Sequence, residues 1–131
     1  MMLYIYLQVK PLQDVRFGSE LTESLQHLSP AFTSIDLDSH SEPFVVTKAT
    51  EVIPKGENLI LHLDLIEDEP IGNIGMIFET LRRNKHPLIC IREGQHHNID
   101  KMLRLSGIVQ HEVISKESGI QLISDFLSTQ S

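Results

Sequence analysis

The stretch NLILHLDLI, residues 58–66, is nearly continuous in apolar residues. A strand with one wet face alternates polar and apolar positions, whereas a strand covered on both faces reads as an almost unbroken apolar run. Such a run needs helices above and below it, and the surrounding sequence supplies them. MLYIYLQV (2–9) reads as a strand and is followed by helical spacing over 14–28, with Val15, Leu21, Leu25 and Leu28 near one face and Pro30 as the stop. FTSIDLD (32–38) reads as a second strand, and a polar turn leads to a helix over 44–53 that ends at Lys55-Gly56. After 58–66, a helix over 71–84 carries Ile74, Ile77, Phe78 and Leu81 as its packing stripe, with Pro70 in its first turn. HPLICI (86–91) is a fourth strand, 98–105 a short helix ended by Ser106-Gly107, 108–114 a last strand and 118–127 a last helix.

This is a βα unit repeated, and right-handed crossovers turn it into a mostly parallel sheet. The expected fold class is α/β, a three-layer sandwich with a five-stranded sheet of flavodoxin- or Rossmann-like kind, in one domain covering 1–131. At 131 residues and 40% hydrophobic content the chain can bury a real core. Eighteen acids against 11 bases give a formal charge of −7, a field that repels phosphate backbones. We therefore expect no nucleic-acid partner. Arg82, Arg83 and Lys85 form the one dense basic group, at a helix end where cations offset the dipole. The single cysteine, Cys90, lies in an apolar strand and reads as a buried, inert thiol. The N-terminal run is too short to span a bilayer and lacks a signal peptide's basic flank, so a cytoplasmic protein with no membrane association is expected.

In open parallel sheets, ligands sit beyond the carboxyl ends of the strands. That rule selects the loops 10–14, 67–75 and 92–98. In the second, Gly72, Asn73 and Gly75 precede a helix, where bare backbone N–H groups suit an anion. Glu67, Asp68 and Glu69 stand just upstream, however, and Asp68 or Glu69 would equally serve as an ordinary helix cap. His62 and Asp64, two apart on a strand, share one sheet face, and Asp64 lies near the carboxyl end as a candidate general base or a structural partner of the histidine. Glu79, one helical turn past Gly75, is a candidate acid or a solvated helix residue. His96 and His97 lie in the third loop, His96 as a candidate ligand contact. No spacing of His, Cys or carboxylates marks a metal site, and no phosphate-loop or GxSxG motif is present, so neither metal nor cofactor is expected.

Four segments in order, LYIYL (3–7), ENLILHL (57–63), GNIGMIFE (72–79) and NKHPLICI (84–91), together with IDKMLRLSG, give the chain a further reading. It resembles a divergent member of the nucleoside 2-deoxyribosyltransferase superfamily, which includes the 2′-deoxynucleoside 5′-phosphate N-hydrolases. The resemblance implies a nucleotide- or sugar-like small molecule at the strand ends, a homodimer, and a carboxylate two residues after the loop glycine. That position is Ile77 here, and Glu79 is displaced by two, a rotation of about 200° around a helix. The first loop is QVKPLQD rather than Gly- and Ser-rich. The resemblance thus implies a retained scaffold with diverged or lost glycosyl-transfer or N-glycosidase activity. From residue 58 onward the pattern is also similar to STAS-type domains, which implies as the alternative a non-enzymatic regulatory module that binds proteins.

Overall fold

The structure, a computed structural model, describes residues 2–28 and 31–130; Pro30, the expected helix stop, lies outside the described residues. The strands are β1 (Met2–Val9), β2 (Phe32–Asp38), β3 (Asn58–Leu65), β4 (Leu88–Glu93) and β5 (Gln110–Glu112). The helices are α1 (Leu21–Leu28), α2 (Pro43–Val52), α3 (Gly75–Arg83), α4 (His97–Leu105) and α5 (Lys116–Thr129). The sheet order is β2-β1-β3-β4-β5 and every neighbouring pair is parallel. This is the expected α/β class, in the doubly wound order whose switch point falls between β1 and β3.

Period-2 alternation divides the side chains of the central strands between two layers. Leu3, Ile5, Leu7 and Val9 of β1 and Leu59, Leu61, Leu63 and Leu65 of β3 pack with Val46, Ile77, Phe78, Ile99 and Leu103 from α2, α3 and α4. On the other face Met2, Tyr4 and Tyr6 of β1, with Ile60, Ile89 and Ile91, pack with Leu21, Leu25 and Ile123 of α1 and α5. The core of the first layer is apolar. The second also takes in the buried Gln8, Lys10, His62 and Asp64. Cys90 belongs to the apolar layer, where burial pushes its thiol pKa up to about 12 and leaves it unreactive. No helix among the described residues is long and apolar enough to cross a membrane.

Element types match the sequence reading, but several boundaries move. The first helix begins at Leu21, not at residue 14. The Gln8 side chain holds the Arg16 backbone by both its N–H (2.9 Å) and its carbonyl (2.7 Å), and Gly18 adopts φ +80°. Val15 therefore sits in a loop, outside any helical stripe. The third helix begins at Gly75, so Pro70 lies in the loop and neither Asp68 nor Glu69 caps it; Asp68 is itself in the left-handed region at φ 67°. The edge strand β5 is shorter than the expected 108–114.

Gly72 explains the flexible residues before α3. Its φ is +61°, and a Cβ there would stand 2.1 Å from the Ser39 carbonyl oxygen. The loop after β3 is pressed against the turn after β2, and only glycine fits. Gly75 differs, since a Cβ there meets nothing within 4 Å. We predict that Gly72→Ala lowers unfolding free energy by about 2 kcal/mol. Gly75→Ala should raise it by about 0.5 kcal/mol, by restricting the unfolded chain. Urea titrations of the two variants check both signs.

Candidate functional site

The polar residues of the second layer lie toward the carboxyl ends of the strands. Register sets Tyr6 beside His62 and Gln8 beside Asp64 across β1 and β3, and Asp64 beside Glu93 across β3 and β4. Two hydrogen-bonded groups result.

The first fills the switch point. Asp64 Oδ2 accepts from Tyr6 Oη (2.6 Å), Lys10 Nζ (2.6 Å) and Arg16 Nη2 (3.2 Å). Lys10 is 7% exposed and Asp64 9%, so this is a buried ion pair with extra donors. Burial alone would raise the Asp64 pKa. The hydrogen bonds from Lys10, Tyr6 and Arg16, with the Lys10 charge, outweigh it and hold the carboxyl below its usual range. Tyr6 moves the other way, raised by burial and by its bond to the carboxylate. A carboxylate with a lowered pKa and converging donors is a weak base and a strong anchor for the loop that carries Lys10 and Arg16.

The second group is a chain. His62 Nε2 lies 2.6 Å from Glu93 Oε2, and His62 Nδ1 lies 2.7 Å from Tyr4 Oη, which in turn bonds the Ser19 hydroxyl. An ionised carboxylate only accepts, so in neutral His62 Nε2 carries the proton and Nδ1 accepts from Tyr4. Ser19 also accepts the Leu21 N–H at 3.1 Å and so ties the chain to the start of α1. The middle of the chain is buried, with the His62 side chain 2% exposed, while that of Glu93 is 40% exposed. Glu93, Ser19 and His62 line a cavity of about 160 Å3 together with Arg16, Glu20 and Lys116. It opens between the start of α1 and the start of α5, on the carboxyl rim.

A second rim cavity, about 290 Å3, lies between the loops after β3 and β4 and is lined by Glu67, Arg92, His96, His97 and Asp100. Several of its polar groups are engaged by the surrounding loops, although the buried Arg92 Nε has no hydrogen-bond partner. Glu67 accepts the His97 backbone N–H at 2.8 Å, and Arg92 bonds the Gly94 carbonyl. His96 donates from Nε2 to the Glu69 carbonyl at 2.6 Å, while its Nδ1 accepts the Ile99 N–H at 3.4 Å as the cap of α4. Both ring nitrogens of His96 are thus occupied in clamping the preceding loop.

The candidate residues therefore do not converge. Asp64 lies in the α1/α5 layer, whereas Glu79 belongs to α3 on the opposite face and points to solvent, paired with Arg82 (2.6 Å) and Arg83 (3.1 Å). The Arg82 hydrogen bond lowers the Glu79 pKa. Gly72 is spent on the contact with Ser39, and Asn73 reaches only the Ser41 carbonyl at 3.5 Å. Gly75 opens α3 in free space and lines neither rim cavity. The sequence reading missed Tyr4, Tyr6, Arg16, Ser19 and Glu93. A signal for the tyrosines was present: in LYIYLQVK the even positions Tyr4, Tyr6, Gln8 and Lys10 all carry polar tips between purely aliphatic neighbours. No group of three His, Cys, Asp or Glu able to hold a metal ion occurs among the described residues. Comparison with protein-family models, with curated proteins and with solved structures finds no match for this chain.

The Asp64 anchor has a measurable acid limb. Its folded pKa lies below the unfolded value of about 3.9, so its stabilisation is fully present above that pH and is lost as pH falls through the lower folded value. Asp64→Asn should cost about 3 kcal/mol at neutral pH by leaving Lys10 buried without its counter-ion. It should also flatten the stability profile below about pH 4. Denaturant titrations from pH 2 to 7 on both proteins check this.

Proposed function

We propose that this domain binds a nucleotide- or sugar-like small molecule, with the sugar ring in the 160 Å3 cavity between the starts of α1 and α5. The observation that carries the reading is the lining of that cavity. Arg16 and Lys116 line it together with Glu20 and Glu93, two cations and two carboxylates, and with Ser19 and Ser115. A balanced set of donors and acceptors suits a neutral polyhydroxylated ring better than a bare anion, because each hydroxyl both donates and accepts. The volume is below the roughly 300 Å3 at which pockets for drug-sized ligands begin, so one ring enters and the rest of a nucleoside or nucleotide lies outside. The position beyond the strand ends is where doubly wound sheets take their ligands.

The resemblance to deoxyribosyltransferases enters this reading as a scaffold without its chemistry. The position of the expected carboxylate is Ile77, fully buried in the apolar layer, and Glu79 is remote from the cavity. Glycosyl transfer through a carboxylate on α3 is therefore proposed as lost, with Glu93 the carboxylate that a bound ring meets.

Calorimetry with ribose, deoxyribose, nucleosides, nucleotides and sugar phosphates tests the reading. Saturable binding is expected for at least one class, and Glu93→Gln should weaken it about tenfold by removing a charged acceptor. If no compound binds at millimolar concentration, the reading fails, and the protein-binding alternative gains by it.

A further inference from the structure

The hydrogen-bonded chain has a property that ligand binding does not require: both of its ends open into one cavity. Ser19 stands at one end and Glu93 at the other, and the two residues between them, Tyr4 and His62, are buried. A buried histidine that serves only packing needs its nitrogens satisfied, and any pair of fixed partners will do. Here the partners form a continuous path of exchangeable protons from a hydroxyl to a solvent-facing carboxylate.

We propose that Ser19 is a nucleophile, activated through Tyr4 and His62 by Glu93, and that the cavity hydrolyses a small carboxylic ester of a polyhydroxylated alcohol. The alcohol half of that substrate rests on the sugar-ring reading above; the nucleophile does not.

Ser19 Oγ attacks the ester carbonyl carbon and its proton passes to Tyr4 Oη, as the Tyr4 proton passes to His62 Nδ1 and the His62 Nε2 proton passes to Glu93. The tetrahedral intermediate collapses with cleavage of the carbon–oxygen bond to the alcohol, and the departing alkoxide takes the proton from Glu93 in the same cavity. Water then attacks the acyl-Ser19 carbonyl and yields a proton to Glu93. As the acid leaves, the chain runs in reverse and returns a proton to Ser19. The sum is ester plus water to acid plus alcohol.

The geometry suits this path in two ways. His62 exchanges one tautomer for the other and never becomes a buried cation, so no unpaired charge is created in the buried middle of the chain. The changing charge sits on Glu93, which solvent reaches, and the cations Arg16 and Lys116 line the same cavity, where they would favour a developing oxyanion. Burial holds the Tyr4 hydroxyl well above its ordinary pKa, so it relays protons as a neutral group.

The test uses the full chain with a fluorophosphonate probe and with 4-nitrophenyl acetate. Wild type should be labelled stoichiometrically, and fragmentation of tryptic peptide 17–48 should place the adduct on Ser19. Acetate ester hydrolysis should fall at least about 100-fold in Glu93→Gln and in Tyr4→Phe, with Ser19 itself intact in both. Glu93→Gln is the deciding variant if Tyr4→Phe does not fold, because Glu93 is partly exposed. An unlabelled wild type, an adduct on another residue, or variants that react at the wild-type rate would overturn the proposal. Sugar binding without ester hydrolysis would remove the nucleophile and leave the binding reading intact; hydrolysis of the aryl ester without sugar binding would do the reverse.

Discussion

The Lys10–Asp64 ion pair decides how the first third of the chain is laid down. A carboxylate buried on the central strand is costly unless donors converge on it. Here they come from β1, through Tyr6, and from the segment beyond β1, through Lys10 and Arg16. That requirement keeps Arg16 near the strand ends, and Gln8 fixes the Arg16 backbone in place. A helix over residues 14–20 would carry Arg16 away from Asp64. The late start of α1 and the wall of the smaller rim cavity are thus both consequences of one buried charge.

The sheet's two faces solve different problems. The core of the layer of α2, α3 and α4 is apolar and supplies stability in the usual way, by removing apolar surface from water. The apolar core of the α1 and α5 layer is smaller, with polar groups at Gln8, Lys10, His62 and Asp64 taking up its carboxyl end. Each of these groups is hydrogen-bonded, so the layer is specified by geometry as well as by volume. Every carboxylate and basic group lining the smaller rim cavity belongs to this polar end or to the two helix starts above it.

Much of the fold was legible because it rests on periodicity. Apolar runs against helical spacing give βα units, and the uninterrupted run at 58–66 demands cover on both faces. Boundaries were less legible where a tertiary contact overrides local preference, as at Gly72, whose neighbour is Ser39 in another loop. The candidate site was harder. Asp64 and His62 could be placed on one face from their spacing, but their partners Tyr4, Tyr6, Lys10, Arg16 and Glu93 come from other elements, and single-chain spacing carries no register between strands. Glycine before a helix pointed toward a ligand cradle, although Gly72 serves a close backbone packing contact and Gly75 meets nothing within 4 Å.

The placement of acids also separates scaffold from chemistry. Glu79, on a helix covering one face, and Asp64, on a strand facing the other layer, are engaged by different partners and do not meet at one site. Residue 79 faces solvent on α3, whereas Asp64 and Glu93 face the α1/α5 layer. Of these three carboxylates, Glu93 alone combines a cavity position, a buried histidine behind it and exposure to solvent. Asp64 is held by converging donors and depressed in basicity, and Glu79 is neutralised by arginines on its own helix. Within the hydrogen-bonded chain through His62, the two ends that meet open space are Glu93 on the fourth strand and Ser19 before the first helix.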